Sequence, residues 1–131
     1  MFEPTQTLTS FAVDDIPTAV TFYGDTLGLK VTAAQGVVLL HHPDGHDTLV
    51  YPKPDHIPAS YTVLNFVVDD VDAAVDDLRN RGVRLLRYDD LGADDAGIVR
   101  HPDRDIAWFA DPAGNIHSVG RLKTPLPQRP A

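Results

Sequence analysis

The chain of 131 residues contains no cysteine, one tryptophan and one methionine. Without thiols there is no disulfide staple, no thiolate nucleophile, and no cysteine-ligated zinc or iron–sulfur centre. Basic residues are scarce too: eleven Lys and Arg stand against nineteen Asp and Glu, a formal charge of −8. The densest basic group, Arg79, Arg81, Arg84 and Arg87, is countered by Asp69, Asp70, Asp72, Asp76 and Asp77. A nucleic-acid partner needs a basic field, and this chain offers a repulsive one. No apolar run approaches the ~20 residues that cross a bilayer, so no membrane partner is expected. The opening MFEPTQTLTSF lacks the basic region and apolar core of a secretion leader. A cytoplasmic protein is the expectation.

Two stretches repeat instead. FAVDDIPTAVTFY at 11–23 recurs as FVVDDVDAAVDDL at 66–78, and the turn HPDGH at 42–46 echoes DPAGN at 111–115. A chain that writes one pattern twice reads as two small modules. The first spans 5–52. Alternation predicts a strand over 7–14, then a helix capped by Asp15, with Pro17 in its first turn and Gly28 ending it. Strands at 29–32, 37–41 and 48–51 follow, the last two closed by Pro43-Asp44-Gly45. KPDHIPAS supplies a Pro-rich linker over 53–60. The second module, 61–121, predicts a strand at 62–69, an Asp70-capped helix over 71–81, a strand at 83–88, an acidic loop at 89–97, and a hairpin of 106–110 with 116–121. The Pro-rich tail, 122–131, extends neither sheet nor helix; it is either disordered or a strap across a partner.

The fold class is thus α+β: paired βαβββ modules forming two curved, mixed, four-stranded sheets that enclose a cavity, with helices outside. By strand alternation the inward faces carry Leu8, Ser10 and Ala12; Val37, Leu39 and His41; Leu49 and Tyr51; Val63, Asn65 and Val67; Ile106, Trp108 and Ser118. That is an apolar hollow with a few hydrogen-bonding groups, suited to an uncharged organic ligand. Trp108 offers a flat stacking surface or, as plain core, needs a partner for its indole N–H. An inward amide at Asn65 costs free energy unless satisfied, so Asn65, Ser10 and Tyr51 would address a ligand or trapped water. Of six histidines only His41 faces inward, as a hydrogen-bonding group or a general base.

The motifs VDDIPTAVTFYGDTLGL (13–29), VDDVDAAVDDLRNRGV (68–83) and AWFADPAGNIHSV (107–119) resemble the vicinal oxygen chelate superfamily, which holds glyoxalase I, extradiol dioxygenases, and fosfomycin- and bleomycin-resistance proteins. The resemblance implies metal ligands seven residues before each helix-opening Asp and three beyond the Asn of the DPxGN turn. In this sequence those positions hold Leu8, Val63 and Ser118, with Leu49 the counterpart in the first hairpin. Three aliphatics and a hydroxyl are poor donors for a divalent ion, so neither metal nor other cofactor is expected. The resemblance then implies metal-independent binding or sequestration of a small, largely apolar molecule, as in drug-binding resistance proteins, and a homodimer. Trp108, Asn65, Tyr51, Ser10, His41, Ser118 and Leu39 would contact the ligand. The inward list contains no acid, which disfavours a cationic cargo. The alternative is a glyoxalase-type lyase or isomerase, or a dioxygenase-like enzyme, with a displaced metal site or with His41 as base.

Overall fold

The computed structural model describes residues 1–130 and divides the chain into two compact units, Met1–Pro58 and Ala59–Ala131.

In the first unit, β1 (Thr9–Val13) leads through Asp15 into helix α1 (Ile16–Val20). The Asp15 carboxylate accepts from the Thr18 N–H at 3.3 Å, and Pro17 occupies a position where its missing N–H leaves nothing unpaired. The expected helix does not continue as an α-helix. Thr21–Thr26 widen into a π-helical turn, in which the Leu27 N–H reaches the Phe22 carbonyl at 2.8 Å. The turn brings adjacent Phe22 and Tyr23 both into the core, edge to face at 5.0 Å, with Tyr23 also meeting Phe11 at 5.8 Å. Strands β2 (Lys30–Ala34) and β3 (Val37–His41) join through Gln35 and Gly36, both at positive φ, the two-residue turn that matches strand twist. With β4 (Asp47–Pro52) they make a mixed sheet in the order β1-β4-β3-β2, β1 and β4 parallel. Phe11, Val13, Val38, Leu40, Thr48 and Val50 are buried on one face of it. The other face carries Ser10, Leu39, His41, Leu49 and Tyr51.

The second unit repeats the plan with one strand more than expected. Strand β5 (Thr62–Val67) runs into α2 (Val71–Asn80), whose N-cap Asp70 accepts from the Ala73 N–H at 3.0 Å. Val71 and Val75 of α2 pack with Ile98, Ala107 and Val119 into a dry cluster. Strands β6 (Arg84–Leu86), β7 (Val99–Arg100), β8 (Arg104–Ala110) and β9 (Ile116–Leu122) complete the sheet in the order β5-β9-β8-β6, with β7 also paired to β8. The expectation of four strands is corrected here to five. The acidic loop is structured: Asp89–Leu91 form a 3₁₀ turn, and Asp94 accepts from the Ala96 and Ile98 N–H groups at 2.9 Å each. Those bonds feed Ile98 and Val99 into the core, and β7 follows directly. Asp94 serves as a local turn acceptor, a role that charge counting does not distinguish from solvation.

No helix among the described residues is long and apolar enough to cross a membrane.

Candidate functional site

Register fixes which side chains share a side of the second sheet. Asn65 pairs with Ser118, which pairs with Trp108, so these three form one row across β5, β9 and β8. Val67, Gly120 and Ile106 form the next row on the same side. Leu64, Phe66, Ala107, Phe109, His117 and Val119 lie on the opposite side, which faces α2.

The row of Asn65 is internally bonded. Ser118 is 2% exposed, and its hydroxyl donates to Asn65 Oδ1 at 2.7 Å. Trp108 is half-buried; its indole N–H donates to Thr62 Oγ1 at 3.1 Å, and Tyr88 meets its ring edge-on at 5.0 Å. Thr62 is a site residue that alternation misses. A β-bulge between Thr62 and Leu64 adds an extra residue, Val63, to the strand. Thr62 thereby pairs with Ile116 and comes to the side of Trp108, the place alternation assigned to Val63. No local sequence signal marks the bulge.

Over this face lies a cavity of about 500 Å³. Its lining includes Asn65, Val67, Ile106, Ser118 and Gly120 from the sheet, and Leu122, Thr124, Pro125, Leu126 and Pro127 from the tail. The tail is held there by its own backbone: the Lys123 and Thr124 N–H groups donate to the Asp103 carbonyl at 2.8 and 3.3 Å. The segment expected to be disordered or to strap a partner is therefore a wall of its own unit's cavity. Trp108 is not part of this lining.

Charge enters at one end of the cavity, through Asp103, Arg104, Asp105 and Arg121. Lys123 Nζ lies 2.9 Å from Asp105 Oδ1, and Arg100 3.7 Å from Oδ2. The Lys123 ammonium holds the Asp105 carboxyl below the usual carboxylate range. Asp103 sits 3.4 Å from Arg104. Acid thus reaches the lining, which the inward list did not contain, but each carboxylate already has a cation.

The remaining candidates belong to the first unit. Ser10 lies opposite Leu49, which lies opposite Leu39, on the side away from α1. Tyr51 is 38% exposed on the same side. His41 is committed at both nitrogens: Nδ1 to Asp47 Oδ1 at 2.9 Å and Nε2 to Thr32 Oγ1 at 2.7 Å. With Nδ1 donating to the carboxylate, Nε2 is left as the acceptor for the threonine hydroxyl. His42 bonds Thr48 Oγ1 at 2.8 Å and stacks on His46 at 4.5 Å; burial and then the His46 charge lower its pKa. His117 is fully buried, accepting from the Leu64 N–H at 3.2 Å between Phe66 and Phe109. Burial pushes it down to about 4, so it is a neutral core group at pH 7.

The positions that the resemblance assigns to metal ligands do not fit an ion. Leu8 and Leu49 carry no donor, Val63 sits in the bulge, and the Ser118 hydroxyl is spent on Asn65. Among the described residues, no three His, Asp or Glu gather as a group able to hold a metal.

Residues 6–117 match the sequence profile of the glyoxalase/bleomycin resistance protein/dioxygenase superfamily. The chain belongs to that superfamily. Solved structures agree on the fold. A glyoxalase/bleomycin resistance protein/dioxygenase from Alicyclobacillus acidocaldarius is 15% identical with a TM-score of 0.68, covering 95% of this chain and 96% of its own. TnmS3, an antibiotic binding protein from Streptomyces sp. CB03234, is 22% identical with a TM-score of 0.66, covering 93% and 100%. Lactoylglutathione lyase from Agrobacterium tumefaciens is 22% identical with a TM-score of 0.61, covering 90% and 94%. No curated protein matches this superfamily member in sequence. The fold hosts both binders and enzymes, so function is argued from the site.

Proposed function

We propose that the protein binds and sequesters a small, largely apolar organic molecule without a metal, and that it does so as a cytoplasmic homodimer. The cavity walled by the tail carries this reading. Its volume of about 500 Å³ falls in the range of small-molecule sites, and its lining mixes aliphatic side chains and prolines with a few polar atoms. The ligand positions filled by Leu8, Leu49, Val63 and Ser118 support independence from metal. The likeness to TnmS3, an antibiotic binding protein, supports sequestration as a use of this fold. In this reading Asn65 and Ser118 orient the ligand, and Trp108 stands in the same row, its indole N–H held by Thr62. Ser10, Leu39, His41 and Tyr51 act through the open face of the first sheet.

Native mass spectrometry of protein purified from its own cells, with elemental analysis of the same sample, tests the proposal. A retained organic mass with sub-stoichiometric metal is the expected result. One tightly held metal per chain would overturn it. Light scattering of the same preparation gives the dimer.

The Asp47–His41–Thr32 chain supports a second reading, a glyoxalase-type lyase or isomerase or a dioxygenase-like enzyme. A carboxylate that orients imidazole prepares it as a general base. Turnover of a 2-oxoaldehyde–thiol adduct that His41→Gln abolishes would favour this reading; no turnover by the unaltered protein would dismiss it.

A further inference from the structure

Resting on the binding reading above, we infer that the molecule held in the second unit's cavity offers a neutral hydrogen-bond acceptor, a carbonyl or equivalent oxygen, to the side-chain amide of Asn65. The argument begins with Ser118. Its hydroxyl is buried and has one hydrogen to place, and Asn65 Oδ1 at 2.7 Å takes it. Turning the amide over would present an N–H₂ to the serine and leave a buried hydroxyl hydrogen without an acceptor, a costly arrangement. The bond therefore fixes the amide: oxygen toward Ser118, N–H₂ away from it. Asn65 is exposed and lines the cavity, and its N–H₂ donates to no described residue. A donor is thus held in one orientation by a buried partner.

What lies beside the donor sets the rest of the ligand. The next row along the strands is Val67, Gly120 and Ile106. Two residues along a strand are about 6.6 Å, the span from a carbonyl to the body of an attached ring. Gly120 lines the cavity without a side chain, between two apolar neighbours. Asp105 and Arg121 alternate with Ile106 and Gly120, so their side chains leave the sheet on the opposite side, and Asp105 is paired with Lys123. Arg104 shares the side of Ile106 but lies against Asp103. The row next to Asn65 is neutral, and of the charged lining residues Asp103 pairs with Arg104 and Asp105 with Lys123, which selects an uncharged acceptor on an apolar body.

Three fluorescent probes on one naphthalene frame test this: 6-propionyl-2-(dimethylamino)naphthalene, its parent 2-(dimethylamino)naphthalene, and 6-(dimethylamino)-2-naphthoate. The ketone is expected to bind the intact protein about three- to tenfold more tightly than the parent, the worth of one hydrogen bond. Asn65→Asp keeps the oxygen that Ser118 needs and removes the donor; it should erase the ketone's advantage while the parent's affinity is retained. Asn65→Leu should do the same, and the two variants together separate a lost donor from a disturbed fold. Equal binding of ketone and parent, or a ketone advantage that survives in both variants, would overturn the inference. Preference for the naphthoate would overturn it as well, by assigning selection to Arg104. If no probe binds the intact protein, the cavity reading itself fails, and the inference goes with it.

Discussion

Tyr51 and Gly120 occupy the same station in their two units. In the first hairpin the His42 N–H reaches the His46 carbonyl and the Gly45 N–H the His42 carbonyl, both at 3.0 Å. In the second, Asp111 with Asn115 and Gly114 with Asp111 repeat the pair at the same distances. Five residues past His46 stands Tyr51; five past Asn115 stands Gly120. By the same count Leu49 answers to Ser118, and the ladder places Ser10 opposite the one and Asn65 opposite the other. On the helix side, Thr48 answers to His117, both fully buried. One backbone plan thus carries Tyr51, Leu49 and Ser10 where the other carries Gly120, Ser118 and Asn65. The difference lies in single side chains on a shared frame, and it puts an amide donor beside a glycine in the second unit.

The sharpest way to separate the twins is acid. Thr48, bonded to Thr9 and His42, does not titrate, whereas burial holds His117 at about 4, well below the ordinary histidine value. The unfolded chain therefore binds the extra proton first. Stability is complete above about pH 6.5 and is lost as the pH falls toward 4, by about 3 kcal/mol in total. Urea midpoints at pH 7 and pH 4 should differ accordingly, and His117→Gln, which keeps an acceptor for the Leu64 N–H, should remove most of the difference. A smaller effect comes from giving the second hairpin a side chain. A Cβ on Gly120 would stand 3.0 Å from the Asp105 backbone oxygen, which cannot rotate aside. Gly120→Ala should cost about 1–3 kcal/mol, measured by the same unfolding. The reciprocal Tyr51→Gly should cost only the strand entropy of glycine plus the packing of a ring already 38% exposed. The smallest contrast is at the caps. Asp70→Ala should lower stability by about 1 kcal/mol. Asp15→Ala should cost less, because its bond is longer and Pro17 already restricts the first turn; thermal melts of the two variants resolve the order.

Those caps, the turns at Gly45 and Gly114, and helix α2 were legible in the sequence because each depends on residues a few positions apart. The open-face rows were legible in part, since alternation holds wherever the ladder is regular: Asn65 and Ser118 do share a side. What could not be read is non-local. The π-helical turn answers to the packing of Tyr23 against Phe11. Strand β7 forms because Asp94 caps its own loop and delivers Val99 to Ile106. The indole partner of Trp108 stands 46 residues away and arrives through a bulge. The tail's place as a wall depends on the Asp103 and His101 carbonyls and on the Lys123–Asp105 pair.

The bulge also has a consequence for anyone re-engineering this sheet. Counted along the chain, the position to receive an imidazole would be Val63. Counted along the hydrogen-bond ladder, it is Thr62, two rungs from Ser118 and on the same side. A histidine grafted by sequence alignment would stand on the inserted residue, off the ladder. One grafted at Thr62 would face the row it was meant to join, at the expense of the hydroxyl that accepts the indole N–H.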